Sequence, residues 1–261
     1  MRYLRLWRLF ALTEFQFELA YRVNFVLGFV EMFLVVGTSI AAVLVLFSHT
    51  TALNGWSLDQ MLVLLGVYCL IQGAVNLVLT PSFERLMEHV RLGTLDFLLL
   101  KPVNAQFLVS TRHLRVVRGM DLLLGVAVLL VGLSRMDDQL GLGAALLFVL
   151  TLGLGLVAVY AMLLALVTLS FWFVRVENLL AIFWAFTDAG RFPVDIYPGW
   201  LRLTLSTVVP IGIAVTAPAE AVVGSLTVGT FALLAAGAAV AFGFAAWFWR
   251  RGLRSYTGAS A

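Results

Sequence analysis

The chain has 261 residues, 62% of them hydrophobic and 12% charged, with a formal net charge of +3 and a mean hydropathy of +1.02. A soluble domain carries about 25% charged residues and has no core large enough to hide this much apolar surface, so the composition excludes a soluble enzyme or binding module. The apolar residues come in runs of about 20 or more, long enough to cross a bilayer as helix, without the alternation of a transmembrane barrel. An all-α polytopic membrane protein follows, as a single transmembrane domain over residues 1–261.

The first 21 residues carry Arg2, Arg5, Arg8, Glu14 and Glu18, while Tyr3, Leu6, Trp7 and Phe10 share one face of a helix. They show no cleavable signal pattern. Aromatic and basic side chains favour the headgroup level, so residues 1–21 are expected to form an interfacial helix on the cytoplasmic side. Span one runs from about Val23 to Phe47 and holds a single charge, Glu31. After an outer loop free of Lys and Arg, with a turn at Asn54-Gly55, span two runs from about Asp59 to Thr80. Gln72 and Asn76, four apart, place two amides on one face of it, where helix packing is the commoner use.

Residues 81–103, PSFERLMEHVRLGTLDFLLLKPV, form the longest charged interruption. Read as helix, Phe83, Leu86, Met87 and Val90 share a face, and Glu84, Arg85, Glu88 and Arg91 lie elsewhere on the cylinder. Gly93 is a stop signal, and a second short apolar run ends at Lys101-Pro102. Two short helices at a cytoplasmic membrane surface are expected.

Arg112, Arg115 and Arg118 precede span three, about Gly119 to Leu133, in which Asp121 sits near the inner interface. Asp137 and Asp138 mark an outer loop. Span four is one long run, about Gly141 to Ser170, followed by an inner turn at Phe171 to Asn178 with Arg175 facing the cytoplasm. Span five begins near Leu179 and turns polar at Asp188, Gly190 and Arg191; Asp188 and Arg191, three apart, are spaced to pair. Residues 192–223 hold Pro193, Pro198, Pro210 and Pro218 and read as broken re-entrant helices in the outer leaflet, Gly199 to Val208 and Ala214 to Val222. Span six, about Gly224 to Trp249, ends in aromatics and Arg250, Arg251 and Arg254. On this layout 14 of the 17 Lys and Arg lie inside and Arg135, Arg191 and Arg202 outside, which puts both termini in the cytoplasm.

A lone carboxylate such as Glu31 inside a span must face protein or water, either on a substrate path or in a structural pair with an Arg near another span's inner end. His49, His89 and His113 are far apart and fit no metal-ligand spacing, so no metal site is expected. Cys69 stands alone and forms no internal disulfide. The chain has no GxxxxGK[ST] loop to hold ATP phosphates and no convincing nucleophile-base set, so no catalytic residue is assigned. The basic residues serve topology and membrane lipids, and no nucleic-acid partner is expected.

In this layout the chain resembles the type-2 ABC transporter permeases, in particular a branch with a GTLDFLLLKPV-like stretch after span two. Gly93, Thr94, Leu95, Asp96, Lys101 and Pro102 carry the likeness, and EFQFELAYRVNF, the six spans and the broken outer segment extend it over nearly the whole chain. The resemblance implies a multi-pass transport subunit of the bacterial cytoplasmic membrane that is not itself an enzyme. It implies ATP-binding cassette subunits that hold ATP and Mg, and a second permease subunit, identical or different. The charged segment after span two is then a coupling helix docked on the ATPase. Its face of Phe83, Leu86, Met87 and Val90 would hold it to the spans or to the partner's groove. Glu84, Arg85, Glu88 and Arg91 would make polar contacts with that partner. Glu31, Gln72, Asn76, Asp188 and Arg191 are candidate path or structural polar residues. ATP-driven export is the expected function. The alternatives are an ion-gradient-driven secondary transporter using Glu31 and Asp188, and an intramembrane enzyme or scaffold.

Overall fold

The computed structural model describes residues 2–20, 22–136, 141–173 and 176–256, and among these it is helical throughout apart from loops and one isolated bridge, Leu53 to Trp56. Tyr21, the loop residues Asp137 and Asp138, and Arg175 of the expected inner turn lie outside the described residues. Helix α1 (Arg2–Ala20) is followed in the chain by α2 (Arg22–His49). On α1, Phe10 packs against the core while Trp7, Leu9, Leu12 and Phe15 stay exposed.

Helix α3 (Leu58–Ala74) starts at a reciprocal cap in which Ser57 accepts from the Gln60 N–H and Gln60 accepts from the Ser57 N–H. It continues through a π-helical stretch, Val75–Leu79, into α4 (Thr80–Arg91), making one helix of 34 residues. The expected pair of separate surface helices is therefore corrected: the first is the far end of span two. Proline breaks a helix by withholding an N–H from the carbonyl four residues back. Here that carbonyl, Leu77 O, accepts from Arg115 N–H at 3.0 Å instead, so the helix runs through Pro81. Gly93 ends it in the left-handed region (φ 68°), with Thr94 N–H donating to His89 O at 2.9 Å.

The second expected surface helix is the single turn α5 (Asp96–Leu99), followed by α6 (Ala105–Thr111). A 3-10 turn, Val116–Arg118, opens α7 (Gly119–Ser134). Span four is one helix, α8 (Leu142–Thr168), extended by a 3-10 turn to Phe171. Span five differs from expectation: α9 (Glu177–Thr187) has 11 residues, about 16 Å of rise against a hydrocarbon core of about 30 Å, and ends in the 3-10 turn Asp188–Arg191. The polar run Thr187-Asp188 and then Pro193 stop it. Next come α10 (Gly199–Leu203), continued as π-helix over Thr204–Val208, and α11 (Ile211–Val223), set at 89° to it across Val209-Pro210. Helix α12 (Val228–Ser255) closes the fold; it starts four residues later than expected because Gly224 (φ 81°) ends α11 and Thr227 caps the new helix. Among the described residues, five helices are long and apolar enough to span a membrane, and the bent pair makes a sixth span if it counts as one.

Helix α3 lies at the centre. Against α7 it approaches backbone to backbone: a Cβ on Gly66 would stand 2.6 Å from Leu129 N, and one on Gly132 2.8 Å from Val63 N. Helix α11, buried from Ile211 to Ala219, fills the space between α3, α8 and α12. At the break itself Val209 is buried, while Thr207 and Val208 just before it are exposed.

Candidate functional site

Helix α3 presents Tyr68, Gln72 and Asn76 at four-residue steps on one face. At about 1.5 Å per residue, Tyr68 lies about 15 Å from the Leu58 end, half the thickness of a hydrocarbon core, and Asn76 about 27 Å. Glu31 lies about 27 Å from the His49 end of the neighbouring α2, level with Asn76. These residues line a cleft of about 330 Å³ together with Asp188 and Arg191 from the turn after α9, and Arg115, Arg118 and Asp121 from the start of span three. The structure therefore brings Glu31, Gln72, Asn76, Asp188 and Arg191 to one place.

Two charged layers result. In the deeper one, Arg191 donates to Asp188 at 2.9 Å, Tyr68 O–H donates to Asp188 at 3.2 Å, and Gln72 donates to the Tyr68 oxygen (3.2 Å) and to Thr187 Oγ1 (3.0 Å). The Arg191 guanidinium also sits 5.7 Å from the centre of the Tyr68 ring. In the layer nearer the charged end of α4, Arg118 donates to Glu31 at 2.9 Å and lies 3.7 Å from Asp121. Asn76 accepts from Thr80 at 3.2 Å. Each carboxylate pairs with arginine, yet the Glu31 and Asp188 side chains are 56% and 61% exposed at the open face.

Tyr68, Thr187, Trp184, Arg118 and Asp121 belong to this cleft and were not among the expected site residues. The Tyr68, Gln72, Asn76 stripe was a readable signal for the first; the others enter through packing between helices.

Below the cleft, Phe83, Leu86 and Met87 are buried, with the Phe83 ring 6.2 Å from Tyr160 of α8, and Val90 is half-buried. That apolar face packs α4 against its own chain. Glu84 pairs with Arg115 and Arg85 with Glu88, all on the surface, and Arg91 is exposed. On either side of Gly93 the tip exposes Leu92, Phe97 (72%) and Leu100 (82%).

The α1 arm is tied to the same region. Glu18 accepts from Val117 N–H at 2.7 Å, and His113 Nδ1 lies 3.0 Å from Glu14 Oε1. Burial pulls the His113 imidazole below its ordinary value, with Glu14 opposing, and burial pushes the Glu18 carboxyl up against the Val117 and Val116 N–H groups that favour its charged form. No group of three or more His, Cys, Asp or Glu among the described residues is arranged to hold a metal ion.

A family model described as ABC-2 family transporter protein matches residues 33–260. No curated protein and no solved structure matches the chain.

Proposed function

The chain belongs to the ABC-2 transporter family, and from that premise we propose that it is the permease subunit of an exporter driven by ATP hydrolysis in separate ATP-binding cassette subunits. The observation that carries the reading is the polar cleft. Charged side chains that reach half the depth of a membrane and stay exposed must meet water or protein, because hydrocarbon solvates them poorly. We infer that the open face of the cleft turns toward a second permease subunit and that the path runs between the two. The ion-gradient alternative needs Glu31 and Asp188 free to exchange protons, and each is within hydrogen-bond distance of an arginine.

The ATPase would dock at the tip, on exposed Leu92, Phe97 and Leu100 with Arg91 and Lys101 beside them, and on the surface charges of α4. ATP and Mg would be held in that partner. This orientation puts the charged end of α4 and both termini on the cytoplasmic side of a bacterial cytoplasmic membrane, with α1 lying along its surface. The test is affinity recovery of the full chain from its native membrane. Recovery of an ATPase bearing a phosphate-binding loop is expected, and is lost when Phe97 and Leu100 become Glu while the thermal melt is unchanged. Failure to recover any ATPase, with pH-gradient-driven uptake in vesicles of this chain alone, would overturn the reading.

A further inference from the structure

The polar cleft adjoins a second cavity of about 210 Å³ lined by Phe83, Met87, Leu163, Leu180 and Trp184, with Thr80 and Glu84 at its edge. Three links join the chambers. Trp184 is a wall of both, Thr80 is bonded to Asn76, and Glu84 of the second pairs with Arg115 of the first. Leu180, Trp184 and Asp188 follow one another at four-residue steps, so apolar, aromatic and charged side chains succeed one another over about 12 Å.

The charge pattern of the polar chamber selects among ligands. Its carboxylates, Glu31, Asp121 and Asp188, face as many guanidinium groups, those of Arg115, Arg118 and Arg191. The deepest pair, Asp188 with Arg191, is also reachable from the opening. A ligand with a single charge would take one member of that pair and strand the other at membrane depth, where an uncompensated charge is costly. A head group with both charges replaces each partner with its own. Tyr68 and Gln72 hold Asp188 and the neighbouring Thr187 in place during that exchange.

We propose that the two chambers together bind a zwitterionic amphiphile, with its head between Arg191 and Asp188 and its apolar part against Phe83, Met87, Leu163 and Leu180. The proposal rests on the transport reading and names the substrate class for the same cleft.

The test is binding of radiolabelled dodecylphosphocholine to the full chain in lipid nanodiscs, corrected with empty nanodiscs. Saturable binding is expected. Dodecyl methyl phosphate and dodecyltrimethylammonium, each with one charge on the same tail, should compete about tenfold less well than unlabelled dodecylphosphocholine. Competition by a dodecyl sulfobetaine as strong as by dodecylphosphocholine assigns recognition to any zwitterion, and weaker competition assigns it to the phospholipid head. Arg191→Gln and Asp188→Asn should each weaken binding about tenfold. Gly37→Ala, at an open position outside the cleft, should leave binding unchanged. Equal competition whatever the head charge, or affinity unchanged in Arg191→Gln, overturns the proposal. The assay contains no ATPase, so a null result alongside ATPase recovery sinks the ligand class alone. Intact binding without a partner ATPase sinks the transport reading alone.

Discussion

Replacing Tyr68 by Phe removes one hydroxyl and leaves the ring beside Arg191, so it isolates the hydrogen bonds at the deepest point of the cleft. That hydroxyl donates to Asp188 at 3.2 Å, accepts from Gln72 at 3.2 Å and meets Arg191 Nε at 3.5 Å. Asp188 keeps Arg191 and Gln72 keeps Thr187, so no partner is orphaned and the loss is the net value of the bonds, about 1 to 2 kcal/mol. A double-mutant cycle with Asp188→Ala separates the Tyr68 to Asp188 bond from the rest. Because the Asp188 side chain is 61% exposed, the coupling is expected at about 0.5 to 1 kcal/mol, well below that of a fully buried charged bond. Reversible unfolding in mixed micelles measures all four corners. Additivity within about 0.3 kcal/mol would show that the hydroxyl and the carboxylate do not interact and would remove the deeper layer from the site.

Gly66→Ala puts a methyl 2.6 Å from the Leu129 backbone nitrogen, which cannot turn aside. The melt should fall by the equivalent of about 1 to 3 kcal/mol. A wild-type melt would refute the close seam between α3 and α7. The His113 imidazole lies below 6.5 in the fold because burial outweighs the opposing Glu14 carboxylate, so the unfolded chain binds more protons as pH drops through that window. The imidazole's contribution to stability is complete above 6.5 and is lost as the pH falls through the lower folded value. The thermal melt should therefore fall on acidification, and His113→Asn should flatten the dependence. An unchanged dependence in that variant assigns the effect elsewhere.

Much of this architecture follows from run length. The continuous apolar stretches that became α2, α8 and α12 needed no partner to be recognised, because a bilayer core sets their length. The Asp188 and Arg191 pair was readable from a three-residue step, and the two halves of the bent segment from Pro210. Where helices end was harder to read, because it depends on distant residues. Span two was bounded at Thr80 because charged residues follow, whereas the helix runs on through Pro81, its spare Leu77 carbonyl taken by Arg115 N–H from the turn before span three. Span five looked like a crossing because Leu179 to Phe186 is apolar, yet α9 ends within a turn of its first polar residues. The cleft was half legible. The five polar residues stood out as costly in a membrane, but Arg118 and Asp121 join them only because α2 and α7 both pack beside α3.

The unbroken run from Leu58 to Arg91 changes what the charged interruption means. A separate surface helix could move without disturbing the spans, but α4 shares one backbone with the stripe of Tyr68, Gln72 and Asn76. Its 34 residues rise about 51 Å, some 20 Å more than the hydrocarbon core, so one rod carries the cleft wall and ends at the Gly93 turn that leads to the exposed tip. Between them lies the π-helical stretch Val75–Leu79, the one departure from α-helical bonding along the rod and the natural place for it to bend. Tyr68 and Gln72 bind the rod to the turn after α9, and Gly190 in that turn packs against Tyr68 and against Ile211 of α11. On the proposed transport reading, a force applied at Phe97 and Leu100 passes through the Gly93 turn into this rod and reaches the Asp188 to Arg191 pair through one hydrogen-bonded layer. Substitutions that loosen that layer should then uncouple ligand binding from the ATPase while leaving the tip's docking intact.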